Sequence, residues 1–412
     1  MLYKISKKIL TGIQNQVQNS ELTVEIFETT KVEARPDTKM EERKRLNLII
    51  PSLNIEHVFG GIATAISFFQ ELYNKTNMDS RIIITDSLFD EKNAVSLKGY
   101  QVVACDKDSS LPKQIIDCHH RAGKTIPIGK NDIFVATAWW TAYNFFPVIN
   151  WQKKYFSVYP KPLIYLIQDY EPGFYPFSSR YVMADSTYKS EIPTIAVFNS
   201  QILYDFFKKQ GYSFEQEYFF DPVLNKNLRE CLLFGGETAR KKQIIIYGRP
   251  STPRNSFELI VASLRLWTEQ QNNIQEWNIL SVGETHPTIN LSNGAVLRSL
   301  GKLPLEEYAL LMKETYMAIS IMVSPHPSYP PLEMSTYGVR TITNRHANKD
   351  LSGFNENIIS LDNLSAQSIA KNLLQLAAEY PKDAVIPKKS NYLENSGNNF
   401  SEICEEILRL II

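Results

Sequence analysis

At 412 residues the chain is too long for one hydrophobic core, so two domains are expected. Hydrophobic residues at 43% and charged residues at 21% give the mix of an ordinary globular protein, and equal counts of Lys plus Arg (44) and Asp plus Glu (44) argue against a dedicated nucleic-acid binder, which needs a basic excess. Four scattered cysteines without a CxxC pair indicate neither a zinc ribbon nor a disulfide framework and fit a reducing cytoplasm. The Met1 region does not read as a signal peptide, and no apolar run approaches the ~18 residues of a membrane span.

Residues 1–17 place Leu2, Ile5, Ile9, Ile13 and Val17 near one helical face flanked by Lys4, Lys7 and Lys8. Such a helix either lies on a membrane surface or packs on the body of the protein. A charged stretch over 31–46 reads as a connector, closing an N-terminal extension of residues 1–45. "RLNLIIPSL", "FGGIATAISFFQELYNK" and "SRIIITD" then spell strand, turn, helix, strand. "YQVVACD", "NDIFVATAWW", "KPLIYLIQD" and "PTIAVFNS" repeat the strand signal, predicting an open parallel sheet over residues 46–225. After weak signals around Gly235–Gly236, a second βα series runs over 240–390: strands at "KQIIIYG", "EWNILSVG", "MAISIMVSP" and "RTITN", with helices between and after them. Residues 391–412 end in a helix that could return to the first domain. The fold class is α/β, two Rossmann-like doubly wound domains facing each other across a cleft, and ligands bind at the carboxyl ends of such strands.

Several constellations lie where that cleft is expected. Gly60–Gly61 is either a tight turn or backbone that approaches a phosphate or sugar. Arg249 and Arg254 follow the second domain's first strand, and Lys302 follows another turn on the same edge; three cations there favour an anion site. Gln168, Asp169 and Glu171 end a cleft strand, where a carboxylate orients or deprotonates an acceptor hydroxyl, or caps a turn. Trp139 and Trp140 either stack on sugar rings or fill a core. Asp106-Lys107-Asp108 spells a DxD that could hold Mg²⁺ or Mn²⁺, but the motif is short and the cations make a metal redundant. Adjacent Cys118, His119 and His120 suit a metal poorly. In "SYPPLEMSTYGVRTITN", Glu333 falls in the expected first turn of a helix, where it complements the dipole or grips a ligand beside an anion.

In order and spacing, the strand–"GR"–helix, "SVG", "GKLPLEEY" and "SPHPSYPPLEMSTYGVRTIT" blocks resemble glycosyltransferases of the GT-B fold, retaining family 4 in particular. "GG" with "QDYEPGFYP" is similar to bacterial rhamnan-type rhamnosyltransferases of S-layer glycan assembly. The resemblance covers most of the chain. It implies a cytoplasmic, metal-independent rhamnosyltransferase, at most peripheral at the inner membrane face. L-rhamnose would pass from thymidine diphosphate-L-rhamnose to a hydroxyl of a growing glycan, free or lipid-linked, with retention. It places Gly60, Gly61, Arg249, Arg254, Gly283, Gly301, Lys302, Leu303, Ser328, Tyr329 and Glu333 about the donor. Trp139, Trp140, Asp169, Tyr170 and Glu171 fall about the acceptor, and Gln168, Asp169, Arg249 and Lys302 carry the chemistry. Glu333 matches the second glutamate of the family's E-x7-E motif, but the first falls at Pro325, beside His326, and the family's first-domain cleft histidine has no clear counterpart. A nucleotide-sugar epimerase of the same fold, or a non-catalytic sugar-binding protein, are the alternatives.

Overall fold

The computed structural model describes residues 26–40, 42–56, 60–159, 161–234, 239–380, 391–394 and 400–412. The amphipathic stretch 1–17 and the Gly235–Gly236 pair lie outside them.

The first unit contains β1 (Glu33–Pro36), β2 (Lys44–Ile50), β3 (Asp79–Ile84), β4 (Gln101–Ala104), β5 (Lys113–Asp117), β6 (Thr125–Ile128), β7 (Asn131–Ala136), β8 (Leu163–Ile167), β9 (Thr194–Phe198) and β10 (Gln216–Phe219). Eight of these form one parallel sheet in the order β10-β9-β8-β7-β2-β3-β5-β4, while β1 and β6 pair separately. The connector read over 31–46 therefore contains a strand. The strand read through Trp140 stops at Ala136, and Trp139 opens the helix Trp139–Phe156. Central strands such as β2, β3 and β8 are almost wholly buried because both faces are covered, and they carry the apolar runs "LII", "III" and "LIYLI". At their amino ends, away from the cleft, the buried Arg45 makes a bidentate pair with Asp132 (2.9 and 2.8 Å) and reaches Asp37 at 3.0 Å.

The second unit contains β11 (Lys241–Gly248), β12 (Asn278–Gly283), β13 (Ile289–Asn290), β14 (Val296–Gly301), β15 (Thr315–Ile319), β16 (Arg340–Asn344) and β17 (Ile358–Leu361), ordered β13-β14-β12-β11-β15-β16-β17 and parallel except for β13. Its strand order reverses between β11 and β15, as the first sheet's does between β2 and β7. Crevices open at those switch points, beyond the strand carboxyl ends.

The helix Phe400–Ile411 buries Ile403, Cys404, Ile407, Leu408 and Ile411 against the first unit's core, beside Phe69 and Leu72. Lys75 pairs with Glu405 at 2.7 Å, and the Ser401 hydroxyl donates to Glu71 at 2.7 Å. Tyr392 and Leu393, just upstream, pack instead with the second unit's Leu228 and Leu332. Among the described residues, no helix is long and apolar enough to cross a membrane.

Candidate active site

Glycines set the second unit's edge. A Cβ on Gly248, the last residue of β11, would lie 2.1 Å from the Ser281 hydroxyl, and one on Gly283 (φ +126°) would lie 2.7 Å from the Gly248 carbonyl oxygen. Two strand ends thus approach backbone to backbone, and Arg249 and Glu284 leave side by side. Arg249 Nε meets Glu284 at 3.2 Å, and the Ser251 N–H and hydroxyl also donate to that carboxylate. Partial burial raises the pKa of Glu284, but Ser251 and Arg249 outweigh it and hold the group below its usual range. Arg249 therefore reaches the edge already partnered, a carboxylate neighbour that the sequence reading missed.

Glu333 lies on the helix Tyr329–Thr336 but not in its first turn. The helix begins at Tyr329, so Glu333 is its fifth residue, beyond the reach of a dipole contact confined to the first turn. Pro330 and Pro331 also remove two backbone donors that a helix N-terminus would otherwise present. The partly buried carboxyl sits beside the phenols of Tyr308 and Tyr247, and burial pushes it up to about 7 although Tyr308 lowers it. Tyr247 also neighbours Arg249, so one aromatic ring links the cation to the carboxyl.

The first unit answers from β8. Asp169 is 6% exposed. One of its oxygens accepts from the Tyr170 N–H (2.8 Å) and from the Ser324 hydroxyl of the other unit; the second oxygen lies 3.5 Å from Arg254 Nε. The Arg254 guanidinium stacks 4.2 Å above Phe174. From Ser324 the connection continues: its hydroxyl accepts the His326 N–H (3.0 Å), and His326 Nδ1 accepts the Ser328 N–H (3.0 Å). That contact helps hold Ser328 at φ +71°, which a non-glycine residue adopts only under constraint. Asp169 thus braces, from across the cleft, the turn that launches the Glu333 helix. Burial pushes His326 down to about 4, so it is neutral, and pushes the Lys349 amine, which donates to the Met322 carbonyl, down to about 7 despite Asp169.

Other predicted residues distribute unevenly. Gly61 approaches Gln168 so closely that a Cβ would sit 3.1 Å from its amide, while beside Gly60 (φ +52°) the space is open. Lys302 is exposed and donates to the Glu56 carbonyl across the cleft at 3.5 Å, and Gly301 (φ +65°) and the half-buried Leu303 shape its turn. The Tyr329 hydroxyl turns to Thr64 and Asn199 of the first unit. The expected acceptor surface is corrected. Trp139 is fully buried with its indole N–H on the Tyr175 hydroxyl (3.0 Å). Glu171 is buried beneath the Tyr165 and Tyr188 hydroxyls (3.3 and 3.4 Å) and pushed up to about 8 by burial. Tyr170 packs among Tyr188, Phe206, Phe207 and Tyr212. Trp139 and Glu171 are core in this arrangement, while Tyr170 is half-buried against that core; Trp140 is half-buried too, with its indole near Asp86. In the DxD, Asp108 is occupied by Arg35 (2.6 Å) and Thr38 (2.8 Å) at the sheet's far edge. Among the described residues no three His, Cys, Asp or Glu side chains converge as metal ligands. Phe174, Tyr247, Glu284, Tyr308, Ser324, His326 and Lys349 are site residues that sequence reasoning passed over; only His326, beside the broken motif, carried a signal.

Two family models match the chain: the WsaF N-terminal domain over residues 45–201 and the WsaF C-terminal domain over residues 242–374. The chain belongs to the WsaF family. It is 28% identical over 218 residues to the O-antigen biosynthesis protein RfbC of Myxococcus xanthus; this spans 52% of the chain but 15% of that relative's length. Among solved structures, WaaG, a glycosyltransferase involved in lipopolysaccharide biosynthesis, superposes with TM-score 0.52 at 12% identity, covering 88% of this chain and 99% of its own. Sucrose-phosphate synthase from Thermosynechococcus elongatus gives TM-score 0.50 at 12% identity, with 90% and 96% covered. At such identities the likeness shows the fold, which is GT-B with two Rossmann-like domains.

Proposed function

We propose that this WsaF-family protein is a glycosyltransferase of bacterial surface-glycan assembly, moving L-rhamnose from thymidine diphosphate-L-rhamnose to a hydroxyl of a growing glycan with retention. The observation that carries the reading is the grouping of Arg249, Tyr247 and Glu333 beside the β11 end, facing a first-unit edge braced through Asp169. In this reading Glu333, once ionised, accepts from the deoxyribose 3′-hydroxyl. Arg249 and Lys302 stabilise the diphosphate as it departs, each already near a group it can exchange for phosphate oxygens. The departing phosphate takes the acceptor's proton in a front-face attack. Asp169, with both oxygens engaged, holds the domains rather than serving as a free base. Chemistry without a metal follows from cations doing the work of a divalent ion.

The test is incubation with thymidine diphosphate-L-rhamnose, with and without rhamnoside acceptors, with products identified by mass spectrometry. Acceptor-dependent glycan extension that survives excess EDTA supports the reading. Conversion of the sugar without acceptor would indicate an epimerase, and binding without turnover a sugar-binding protein. Turnover lost to EDTA and restored by Mg²⁺ or Mn²⁺ would overturn the metal-free chemistry.

A further inference from the structure

β4 and β5 run parallel, with Ala104 opposite Asp117. The residue just past the end of each strand is a cysteine, and the two side chains meet: Cys105 Sγ lies 2.9 Å from Cys118 Sγ, both thiols free and buried (4% and 0% exposed). Neighbouring parallel strands lie about 4.8 Å apart, inside the ~4.4–6.8 Å span a disulfide bridges. Turn contacts fix both residues: the Lys107 N–H donates to the Ala104 carbonyl (3.1 Å), the Cys118 N–H to the Ile84 carbonyl (2.8 Å), and Arg121 to the Cys118 carbonyl (3.3 Å). The surroundings are cationic. The Cys118 S–H beside it holds Cys105 below the usual thiol range, against burial and with help from Lys124 and Arg81. Burial pushes Cys118 well above that range. Cys105 is the more accessible of the two sulfurs and so meets an oxidant first, with Cys118 in contact behind it to resolve the product.

We propose that Cys105 and Cys118 are a peroxide-oxidisable thiol pair whose disulfide staples the edge strand β4 to β5. The Cys105 thiolate attacks one oxygen of hydrogen peroxide, the O–O bond breaks, and hydroxide leaves a sulfenic acid. Cys118 then attacks that sulfur and expels the hydroxyl as water. In sum two thiols and one peroxide give one disulfide and two waters; the sulfurs lose two electrons and the O–O bond gains them. The bond closes a loop containing Asp106 and Asp108, and Asp108 ties the segment to Arg35 and Thr38. Oxidation therefore anchors the sheet edge without touching the cleft residues.

The experiment uses the full chain, treated with hydrogen peroxide under native conditions, quenched, unfolded, alkylated and peptide-mapped. The expected result is a Cys105–Cys118 cross-linked peptide, with Cys231 and Cys404 still alkylated. The Tm should rise by about 3–6 °C, reversed by dithiothreitol and absent in Cys105→Ser. A pair still fully alkylated while the half-exposed Cys231 oxidises would overturn the proposal, as would a Tm rise retained by Cys105→Ser. Mapping of the parent protein decides the matter if the variant fails to fold.

Discussion

Replacing Glu333 with glutamine should stabilise the free protein and weaken its hold on a nucleoside diphosphate. Burial raises this carboxyl from 4.5 to about 7. Between those values the unfolded chain has released the proton and the folded chain retains it, so stability falls as pH rises through that window and stays lower above it. The full shift corresponds to about 3 kcal/mol, and partial exposure reduces it to roughly 2 kcal/mol. Glutamine keeps the shape and removes the titration. Without nucleotide at about pH 8, Glu333→Gln should therefore melt roughly 4–8 °C above the parent, and the difference should vanish near pH 4.5. Affinity for thymidine diphosphate should move the other way, because a charge-assisted bond of roughly 1.5–3 kcal/mol is lost, about tenfold or more in Kd. In the parent, binding should also weaken by up to about tenfold per pH unit below 7, since only the ionised carboxylate accepts, while the variant's profile stays flat. Thermal melts paired with calorimetric titrations across this pH range read both effects. Equal melting at about pH 8 together with equal nucleotide affinity would refute the assigned burial and the binding role at once.

Asp169→Ala leaves Arg254 and Lys349 facing the lost anion and should cost about 3–5 kcal/mol in urea unfolding, against about 1 kcal/mol for Ser324→Ala. A loss below 1 kcal/mol for Asp169→Ala would mean the brace carries no load. Lys349, lowered to about 7 from 10.5, penalises the fold wherever the unfolded amine is charged and the folded one is not, so parent stability should climb between pH 7 and 10. Lys349→Met should flatten that climb by on the order of 3 kcal/mol, and parallel curves would exclude a neutral buried amine. Arg249→Ala should weaken thymidine diphosphate about tenfold while folding remains cooperative, and Glu284→Gln, which frees Arg249 from its partner, should tighten it; unchanged binding in both would place the diphosphate elsewhere.

The sequence made the central strands plain because a strand covered on both faces carries an apolar run, as "LII" in β2 and "III" in β3 do, even with Arg45, Asn47 and Arg81 buried beside those runs. It hid β5, whose "KQIID" is short and polar at both ends, and β6, which pairs outside the main sheet. Glycines at strand ends announced the edge, since backbone approach such as that of Gly283 to Gly248 leaves no choice of residue. The start of the Glu333 helix was not legible: it depends on Ser328 being held at positive φ by His326, and serine advertises no such conformation. Trp139, Tyr170 and Glu171 misled because a polar-aromatic run reads alike on a sugar-binding surface and in a core whose hydroxyls satisfy one another. Asp169, Ser324 and Lys349 meet only through the facing of two sheets, a relation that no local pattern encodes.

The helix Phe400–Ile411 has a consequence for how the protein is made. It covers apolar residues of the first sheet's layer, including Phe69 and Leu72, yet leaves the ribosome only after the whole second unit. During synthesis the first unit must wait with that face open, exposed to misassociation, until the second unit has been delivered. Deleting residues 400–412 should therefore harm the half of the molecule farthest from them in sequence, and a fragment ending near residue 225 should need that helix supplied in trans to become soluble. The two halves are separate in architecture but a single unit of biogenesis.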